Sequence, residues 1–518
     1  MTEGTEVYNA SMLQRTREWL AFVLLLLLPF HALLVTVGTK LLAGPDRAPL
    51  PALALWKEGL LAMIVLLALL EIFTRDWTDG RKSPWTFDTL DWLIIAGLVL
   101  ASLVSMDPAT VAGGGGLQGI FRLQTAENKR FLLGLKYDFL PLVVFFFLRR
   151  VPWSESFFRR ALLSLAVVGV LAAGYGIVTS VLPLSFFTSL GYSAAHSLYN
   201  PRGALAAFQQ VEGLDVRRIQ SVMSGPNQLG LWLLLPLTIV LWMMVRAMRA
   251  HLRGERPLQA SSLLLWLFSS ATILAALMLT VSRAAWVAAC AVVTVFLLLA
   301  LRRAESQVRF RVLLLVLLLS FVGGSVVVGA LAVRLKPDLV VRAQSFQGHI
   351  EKPLQALSRI RQHPLGMGLG AAGPASNALS DVCVFLPLGA DYSWADGRTD
   401  LCVFVGGTRR LPAGKACECP LLTENWYLQW GVELGVLGLL LSLALALFVL
   451  RHLFSFPLTG FQMPVLLAFL GVSVAGLFLH AFEDSAVAYS LWLLLAASLP
   501  QMSVRGQGGL RSFVARVP

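Results

Sequence analysis

The sequence predicts an all-α polytopic membrane protein with about twelve transmembrane helices. Three observations support this fold class: the composition, the recurrence of long apolar runs and the placement of basic residues. Of the 518 residues, 57% are hydrophobic and only 14% are charged. A soluble globular protein carries about 25% charged residues, so that class is excluded.

Apolar runs that are long enough to cross a bilayer recur along the whole chain. A helix of about 18 residues or more spans the roughly 30 Å hydrocarbon core. The predicted spans are residues 19–38, 55–73, 88–106, 131–148, 161–182, 228–246, 260–281, 284–301, 312–333, 426–450, 462–480 and 485–500. Only a short turn joins the seventh span to the eighth, so these two should form a tight helical hairpin.

Basic residues are concentrated in alternate short loops, as the positive-inside rule requires. They follow the second, fourth, sixth, eighth, tenth and last spans, with Arg75, Arg149, Arg246, Arg302, Arg451 and Arg505 as examples. The pattern predicts that both termini are cytoplasmic. The net charge of +13 is therefore mainly a topology signal, and no basic nucleic-acid-binding module accompanies it.

This orientation divides the chain into four sections, residues 1–182, 183–333, 334–425 and 426–518. The first and last consist of transmembrane helices, and the second combines central helices with a first outer loop at 183–227. Section 334–425 is a large outer loop between the ninth and tenth spans, and a loop of that length is usually functional or folded. Apolar periodicity over residues 342–361 predicts an amphipathic helix on the membrane surface.

The large outer loop contains most of the cysteines, namely Cys383, Cys402, Cys417 and Cys419. Cysteines outside the cytoplasm favour disulfides, and several connectivities are open. Cys417 and Cys419 are too close in sequence to be comfortable partners, so each should pair with Cys383 or Cys402. A four-thiolate zinc site is the alternative, although the usual paired CxxC spacing is missing.

Two segments place arginines at the outer ends of spans. Arg217 and Arg218 precede a Pro-Asn pair, ending at Asn227, that begins the sixth span, and Ser282 and Arg283 form the turn between the seventh and eighth. Guanidinium groups bind phosphate bidentately, and a helix N-terminus favours an anion. Structural interpretations stay open, namely a helix capped by Asn227 and an arginine that snorkels to lipid headgroups.

A third segment places a carboxylate at the outer end of the tenth span. Glu424 and Asn425 are followed by Gly435 and Gly438, which permit close helix packing. The carboxylate could act as a base or could simply be solvated. At the last outer turn, His480 and Glu483 are expected to form a structural pair.

The fourth segment, residues 363–370, has the sequence HPLGMGLG and begins at His363. Its glycines would allow the backbone to approach a ligand closely. The segment lacks the Gly-Lys-Ser/Thr ending of a nucleotide-binding P-loop.

In this order and on one side of the membrane, the four segments resemble the O-antigen ligase and O-antigen polymerase superfamily of membrane glycosyltransferases. The resemblance covers residues 200–450 well and the first five spans only by general architecture. The family's arginine before a Pro-Asn helix start matches Arg218, its Ser-Arg pair matches Arg283, and its His-Pro-Gly stretch matches His363. Its final motif begins at Glu424, where the family has histidine.

The resemblance implies glycosyl transfer from a polyprenyl-pyrophosphate-linked saccharide to a glycan or lipid acceptor, at the periplasmic face of the bacterial inner membrane. It implies an inverting displacement without metal or cofactor, in which Arg218 and Arg283 stabilise the leaving diphosphate and Glu424 deprotonates the acceptor. The expected substrate-binding residues are Arg217, Asn227, Ser282, His363 and Asn425.

The glutamate at position 424 favours a polysaccharide polymerase over a ligase that acts on lipid A–core, because the ligase pattern has histidine there. A carboxylate is also a weaker base than histidine near neutral pH unless burial raises its pKa. Polysaccharide-export proteins are further candidate partners, and nucleic acid is not expected. The alternatives from other classes are a small-anion transporter and a scaffold in an export assembly.

Overall fold

A computed structural model describes residues 2–74, 85–105, 126–195, 203–210, 217–302 and 343–499, apart from positions 256, 258, 387, 400, 413 and 415. This part of the chain is mostly helical. Seven of its segments are long and apolar enough to cross a membrane, and three shorter apolar helices accompany them. The chain is thus a helical polytopic membrane protein, as the composition predicts.

The helices in the N-terminal half run in the order α1 Thr2–Leu27, α2 His31–Ala43, α3 Pro51–Ala54, α4 Trp56–Thr74, α5 Thr89–Ser105, α6 Ala126–Gly134, α7 Leu140–Leu148, α8 Glu155–Thr179 and α9 Leu184–Ser189. The remaining helices are α10 Pro226–Leu252, α11 Ala260–Leu279, α12 Arg283–Arg302, α13 Ala343–Gln362, α14 Gly373–Leu379, α15 Trp426–Leu450, α16 Gln462–Ala475 and α17 Ser485–Ser498.

Every predicted span except the ninth coincides with helix in the described residues. The ninth, residues 312–333, lies outside them. The first span is divided by a 3-10 turn at Leu28–Phe30, where Pro29 interrupts the α-helical hydrogen bonding. The eleventh ends at Ala475, earlier than predicted, so His480 lies in the loop that follows α16.

Helix α10 forms the centre of the bundle, and α8, α11, α12 and α16 pack around it. Its Trp232, Leu233 and Leu234 are buried because neighbours surround the helix on all sides. Gly169 of α8 lies against Pro236 of α10, where an added Cβ would come within 2.2 Å of the proline ring. The glycine therefore allows these two helices to approach closely.

Ion pairs are buried at one end of the bundle. Arg17 Nε lies 2.6 Å from Glu71 Oε1, and Arg150 Nη2 lies 3.1 Å from Asp91 Oδ2. Charged groups are costly in a membrane interior unless they are paired. These arginines belong to the basic regions that predict topology, and the structure shows that they also join α1 to α4 and α7 to α5.

The section between α14 and α15 contains a three-stranded sheet, so the all-α prediction is wrong there. Strands β1 Gln209–Gln210 and β2 Arg217–Arg218 pair separately, whereas β3 Val382–Leu386, β4 Leu401–Val405 and β5 Thr408–Leu411 form the larger sheet. Strand β4 is parallel to β3 and antiparallel to β5. Runs rich in valine and phenylalanine favour strands, but short strands give a weak periodic signal.

Two disulfides tie this sheet to the segment that leads into α15. Cys383 is bonded to Cys419, and Cys402 is bonded to Cys417. The prediction that Cys417 and Cys419 pair with the two upstream cysteines is confirmed. The zinc alternative is wrong, because each of the four sulfurs is already part of a disulfide.

Helix α13 confirms the predicted amphipathic segment over its described residues. Ala356 and Ile360 are buried in a small cluster with Val432 of α15. Ile350, Leu354 and Leu357 are exposed on another face. The helix therefore packs on α15 along one side and leaves an apolar strip uncovered, while its position on the membrane surface stays a prediction.

Candidate functional site

The four segments singled out in the sequence lie at the same end of the bundle. Helices α10, α12 and α15 begin there, whereas α11 and α16 end there. The backbone joins the ends directly: Ile219 N donates to Leu279 O at 3.2 Å, and Trp426 N donates to Gly476 O at 2.8 Å. The buried ion pairs described above lie at the opposite end.

The Arg218 guanidinium is fixed between two acceptors. Its Nε donates to Thr280 O at 2.9 Å, and its Nη2 donates to Asn227 Oδ1 at 2.8 Å. The residue that caps α10 is Gly225, with no side-chain hydrogen bond, so the alternative in which Asn227 caps this helix is wrong. Asn227 instead holds Arg218 against the turn that precedes α12.

Arg217 is directed away from Arg218, because consecutive residues of a strand face opposite sides. Its guanidinium lies 4.4 Å from the centre of the Phe208 ring and donates to Leu182 O at 3.1 Å. The structure therefore does not bring Arg217 into the cluster with Arg218. Its predicted contact with substrate stays a prediction.

The turn between α11 and α12 holds the second arginine. Ser282 N donates to Thr280 Oγ1 at 3.2 Å, and the Ser282 side chain is buried. Arg283 is the first residue of α12 and is half-buried. Arg218 and Arg283 are thus attached to the same short turn, a connection that the sequence did not predict.

Glu424 forms an ion pair that the sequence did not predict. Lys352 Nζ of α13 lies 2.8 Å from Glu424 Oε1. Burial on its own would raise the pKa of Glu424, but the charge and hydrogen bond of Lys352, with smaller contributions from His480 and His349, lower that pKa below its usual value. The carboxylate is therefore held in its ionised form.

Asn425, next to Glu424, stabilises the start of α15. Its Oδ1 caps α15 by accepting from Leu428 N at 2.9 Å, and its Nδ2 donates to Leu477 O at 3.0 Å. The side chain thereby fixes the start of α15 against the loop after α16. The predicted contact between Asn425 and substrate stays a prediction.

His349 connects the arginine side of the site to the carboxylate side. Burial lowers the pKa of His349, Glu424 raises it, and the positive charges of Arg283 and Lys352 lower it further. The imidazole is thus within electrostatic range of both Arg283 and Glu424. The structure accordingly gathers the two parts of the predicted site around α13.

His480 lies on the other side of Glu424, in the loop after α16. Its Nδ1 is 2.6 Å from Gln429 Oε1. Burial lowers the pKa of His480 to about 4, and Glu424 partly opposes this effect. His480 and Glu483 do not form the expected side-chain pair. Glu483 lies beside Asp138 instead, and burial together with the charge of Asp138 raises the pKa of Glu483.

The glycine-rich segment contacts the backbone of α15. Gly368 N donates to Glu433 O at 3.0 Å, and Val436 N donates to Pro364 O at 3.0 Å. Gly435 has a φ of 71°, so α15 is interrupted there and its released backbone groups bond to the segment. The glycines of this segment thus allow its backbone to lie close to the backbone of α15. Gly435 packs against this segment and not against another helix.

His363 is exposed at the end of α13 and is not part of the cluster. It follows Lys352 by a stretch of helix that corresponds to about 16 Å along the axis. Its predicted role in substrate binding stays a prediction, and it would require a substrate that extends along α13.

Three of the four residues other than glycine with positive φ among the described residues lie in this site, and the fourth is Asp46. Ser221, Val281 and Glu424 have φ values of 53°, 50° and 49°. Each belongs to one of the segments that carry Arg218, Arg283 and the ion pair with Lys352. Left-handed backbone at residues other than glycine is costly and often occurs at functional sites, so the strain is an independent sign that the positions of these groups matter.

The chemistry of the site combines fixed guanidinium groups, an ionised carboxylate and two imidazoles. No family model, curated protein or solved structure matches this chain. Function is therefore argued from the side chains themselves. Cations beside a carboxylate and neutral imidazoles can bind an anionic group and accept a proton close to it.

Sequence reasoning assigned no functional role to His349 or Lys352. A signal was available, because the two residues are three positions apart on a predicted amphipathic helix and so lie on one face. The direction in which that face points could not be predicted, because it depends on how α13 packs against α15.

Proposed function

We propose that this protein is an inner-membrane glycosyltransferase of the O-antigen ligase and polymerase type. It transfers a saccharide from a polyprenyl-pyrophosphate-linked donor to a glycan or lipid acceptor, and polymerisation is favoured over ligation to lipid A–core. In this proposal about twelve spans cross the membrane, both termini are cytoplasmic, and residues 334–425 and the site are periplasmic.

The observation that carries the proposal is the joining of Arg218, Arg283 and Glu424 at one end of the bundle. The first two are held by one turn, and His349 lies within electrostatic range of Arg283 and Glu424. A leaving diphosphate develops negative charge as its bond to the sugar breaks. Fixed guanidinium groups stabilise such charge because they need no reorganisation during the reaction.

The proposed reaction is a single displacement at the anomeric carbon of the donor sugar. The acceptor oxygen forms a bond to this carbon, and the bond from the carbon to the phosphate oxygen breaks with its electron pair remaining on the diphosphate. The proton of the acceptor hydroxyl goes to a base at the Glu424 side of the site. The sequence predicts Glu424 itself for this role.

Helix α13 supports the assignment of a lipid-linked donor. His349 and Lys352 face the site, whereas the exposed strip Ile350, Leu354 and Leu357 faces away from the protein. A helix with an apolar face and a polar face lies well in a membrane interface. A polyprenyl chain could therefore remain in the bilayer beside α13 while its diphosphate reaches the arginines.

The test is turnover by the purified full-length protein in nanodiscs, with lipid-linked glycan extracted from a strain that lacks the protein. Arg218→Ala, Arg283→Ala and Glu424→Gln should each lower product formation by more than about tenfold, because each removes a contact to developing charge or to the transferred proton. Arg359→Ala, an exposed arginine on α13, is the matched control and should keep normal turnover.

Normal turnover in all three site variants would contradict the assigned site, whereas no sugar transfer by the wild-type protein would contradict the transferase function. A ladder of product lengths from a single-repeat donor would identify a polymerase, whereas one addition to lipid A–core would identify a ligase. Flux measurements test the alternative of a small-anion transporter. Anion flux in proteoliposomes without sugar transfer would show that the protein is a transporter and not a transferase.

A further inference from the structure

His480 has a defined tautomer because of the side chain that it contacts. Gln429 Nε2 lies 3.3 Å from Asp138 Oδ1, and an amide nitrogen donates in such a contact. Gln429 Oε1 therefore faces His480 and accepts from Nδ1–H at 2.6 Å. Nδ1 is then the protonated nitrogen, and Nε2 carries the free lone pair.

The Gln429 side chain is held firmly in this orientation. Gly373, with a φ of 65°, lies so close that a Cβ at this position would be 2.2 Å from Gln429 Oε1. Gln429 itself is buried on α15. The contacts with Asp138 and His480 engage both ends of the amide, and this arrangement orients the imidazole as well.

The second nitrogen of the imidazole differs from the first in its contacts. His480 Nε2 is buried and has no hydrogen bond among the described residues. A buried polar atom without a partner is costly and needs an explanation. The charge that acts most strongly on the imidazole is Glu424, which is ionised through its bond to Lys352.

We propose that His480 Nε2 accepts the proton of the acceptor hydroxyl, with Glu424 as the electrostatic partner of the imidazolium and Gln429 as a positioning residue. This inference rests on the transferase function proposed above. It assigns a base that the sequence interpretation did not select, and it changes the role of Glu424 from proton acceptor to stabilising charge.

The assignment agrees with the electrostatics of both residues. Lys352 Nζ already contacts Glu424 Oε1 and lowers the pKa of Glu424, so the carboxylate stays negative and can stabilise a neighbouring imidazolium. Burial lowers the pKa of His480, so the imidazole is neutral and able to accept near neutral pH. As the hydroxyl oxygen bonds to the anomeric carbon, its proton moves to Nε2, and the new positive charge lies beside the Glu424 carboxylate and the departing diphosphate.

The test uses His480→Asn, in which the amide nitrogen can replace Nδ1 as donor to Gln429 while the accepting Nε2 is lost. The full-length protein is assayed with the extracted lipid-linked glycan, and binding is measured separately with a polyprenyl pyrophosphate that carries no sugar. We expect kcat to fall by about 10²- to 10⁴-fold, the usual contribution of a general base. The dissociation constant of the diphosphate lipid should stay within about twofold, and added imidazole should partly restore the turnover of His480→Ala.

Turnover within about threefold of the wild type in His480→Asn would overturn the assignment. A parallel loss of diphosphate-lipid binding and of thermal stability in His480→Asn would also overturn it, since that result would mark a structural residue. Arg283→Ala separates the two proposals. If Arg283→Ala loses turnover while His480→Asn keeps it, the transferase function stands and the base is a different residue. If both keep turnover, the assigned base and the assigned site both fail; if the wild-type protein transfers no sugar, the transferase function itself fails.

Discussion

At the scale of single residues, the ion pair between Lys352 and Glu424 decides the chemical character of the carboxylate. Burial and a neighbouring cation change the pKa of a carboxyl group in opposite directions. Here the cation has the larger effect, so the pKa of Glu424 is lowered. A lowered pKa suits a group that must stay negative beside an imidazolium.

Lys352→Met should therefore raise the pKa of Glu424, because burial then acts without its main opposing charge. If turnover requires ionised Glu424, the acidic limb of the plot of kcat against pH should move to higher pH. The profile would be measured with the extracted lipid-linked glycan. Arg361→Met, which changes an exposed arginine of the same helix, should leave the limb in place; an unmoved limb in Lys352→Met would contradict the role given to ionised Glu424.

At the scale of secondary-structure elements, the interruption of α15 at Gly435 positions α13 next to the site. Gly435 interrupts the helix after its first turns. The glycine-rich segment after α13 forms hydrogen bonds with the backbone groups that the interruption leaves without a partner in the helix. Helix α13 is thereby fixed against the first half of α15. Lys352 and His349 reach Glu424 only because of this attachment.

Gly435→Ala should destabilise the protein by about 1–3 kcal/mol, the usual range for a residue forced into a sparsely populated backbone region. An added Cβ would also lie 2.2 Å from Pro364 O. The thermal unfolding of the purified protein in detergent would measure the effect. Gly174→Ala is the control, because no atom lies within 4 Å of the position of its added Cβ.

Equal unfolding temperatures for Gly435→Ala and Gly174→Ala would show that α15 does not require its interruption. A lower unfolding temperature for Gly435→Ala together with reduced turnover would link the interruption to the site, since α13 would lose its attachment.

At the scale of the whole molecule, the two ends of the bundle differ in chemistry. One end carries the disulfide-bonded sheet, the strained turns and the site, whereas the other buries the pairs Arg17–Glu71 and Arg150–Asp91. Disulfides form outside the cytoplasm, and basic residues favour the cytoplasmic side. Both arguments give the same proposed orientation.

This orientation can be tested with single cysteines introduced into Cys290→Ser protein in intact spheroplasts. Leu388→Cys lies in the sheet region, where Leu388 is 83% exposed, and should react with a membrane-impermeant maleimide. Ser455→Cys, at the far end of α15, should react only after the membrane is permeabilised. Labelling in the reverse order would contradict the periplasmic position of the site.

The sequence determined the features that depend on local composition. Long apolar runs favour helices in a bilayer, so the apolar helices of the described residues followed from hydropathy alone. Arginines beside helix starts and clustered cysteines were equally visible. They indicated the helix starts beside which Arg218 and Arg283 lie and the four cysteines that form the two disulfides.

Only the tertiary structure decided which side chains meet. Lys352 reaches Glu424 across 72 positions of sequence, and Gln429 reaches Asp138 across 291. Such contacts depend on how helices rotate and pack, and hydrophobic periodicity does not specify rotation closely enough to identify a partner. The lowered pKa of Glu424 and the absence of a hydrogen bond to His480 Nε2 among the described residues likewise result from tertiary packing. Neither can be read from the local sequence.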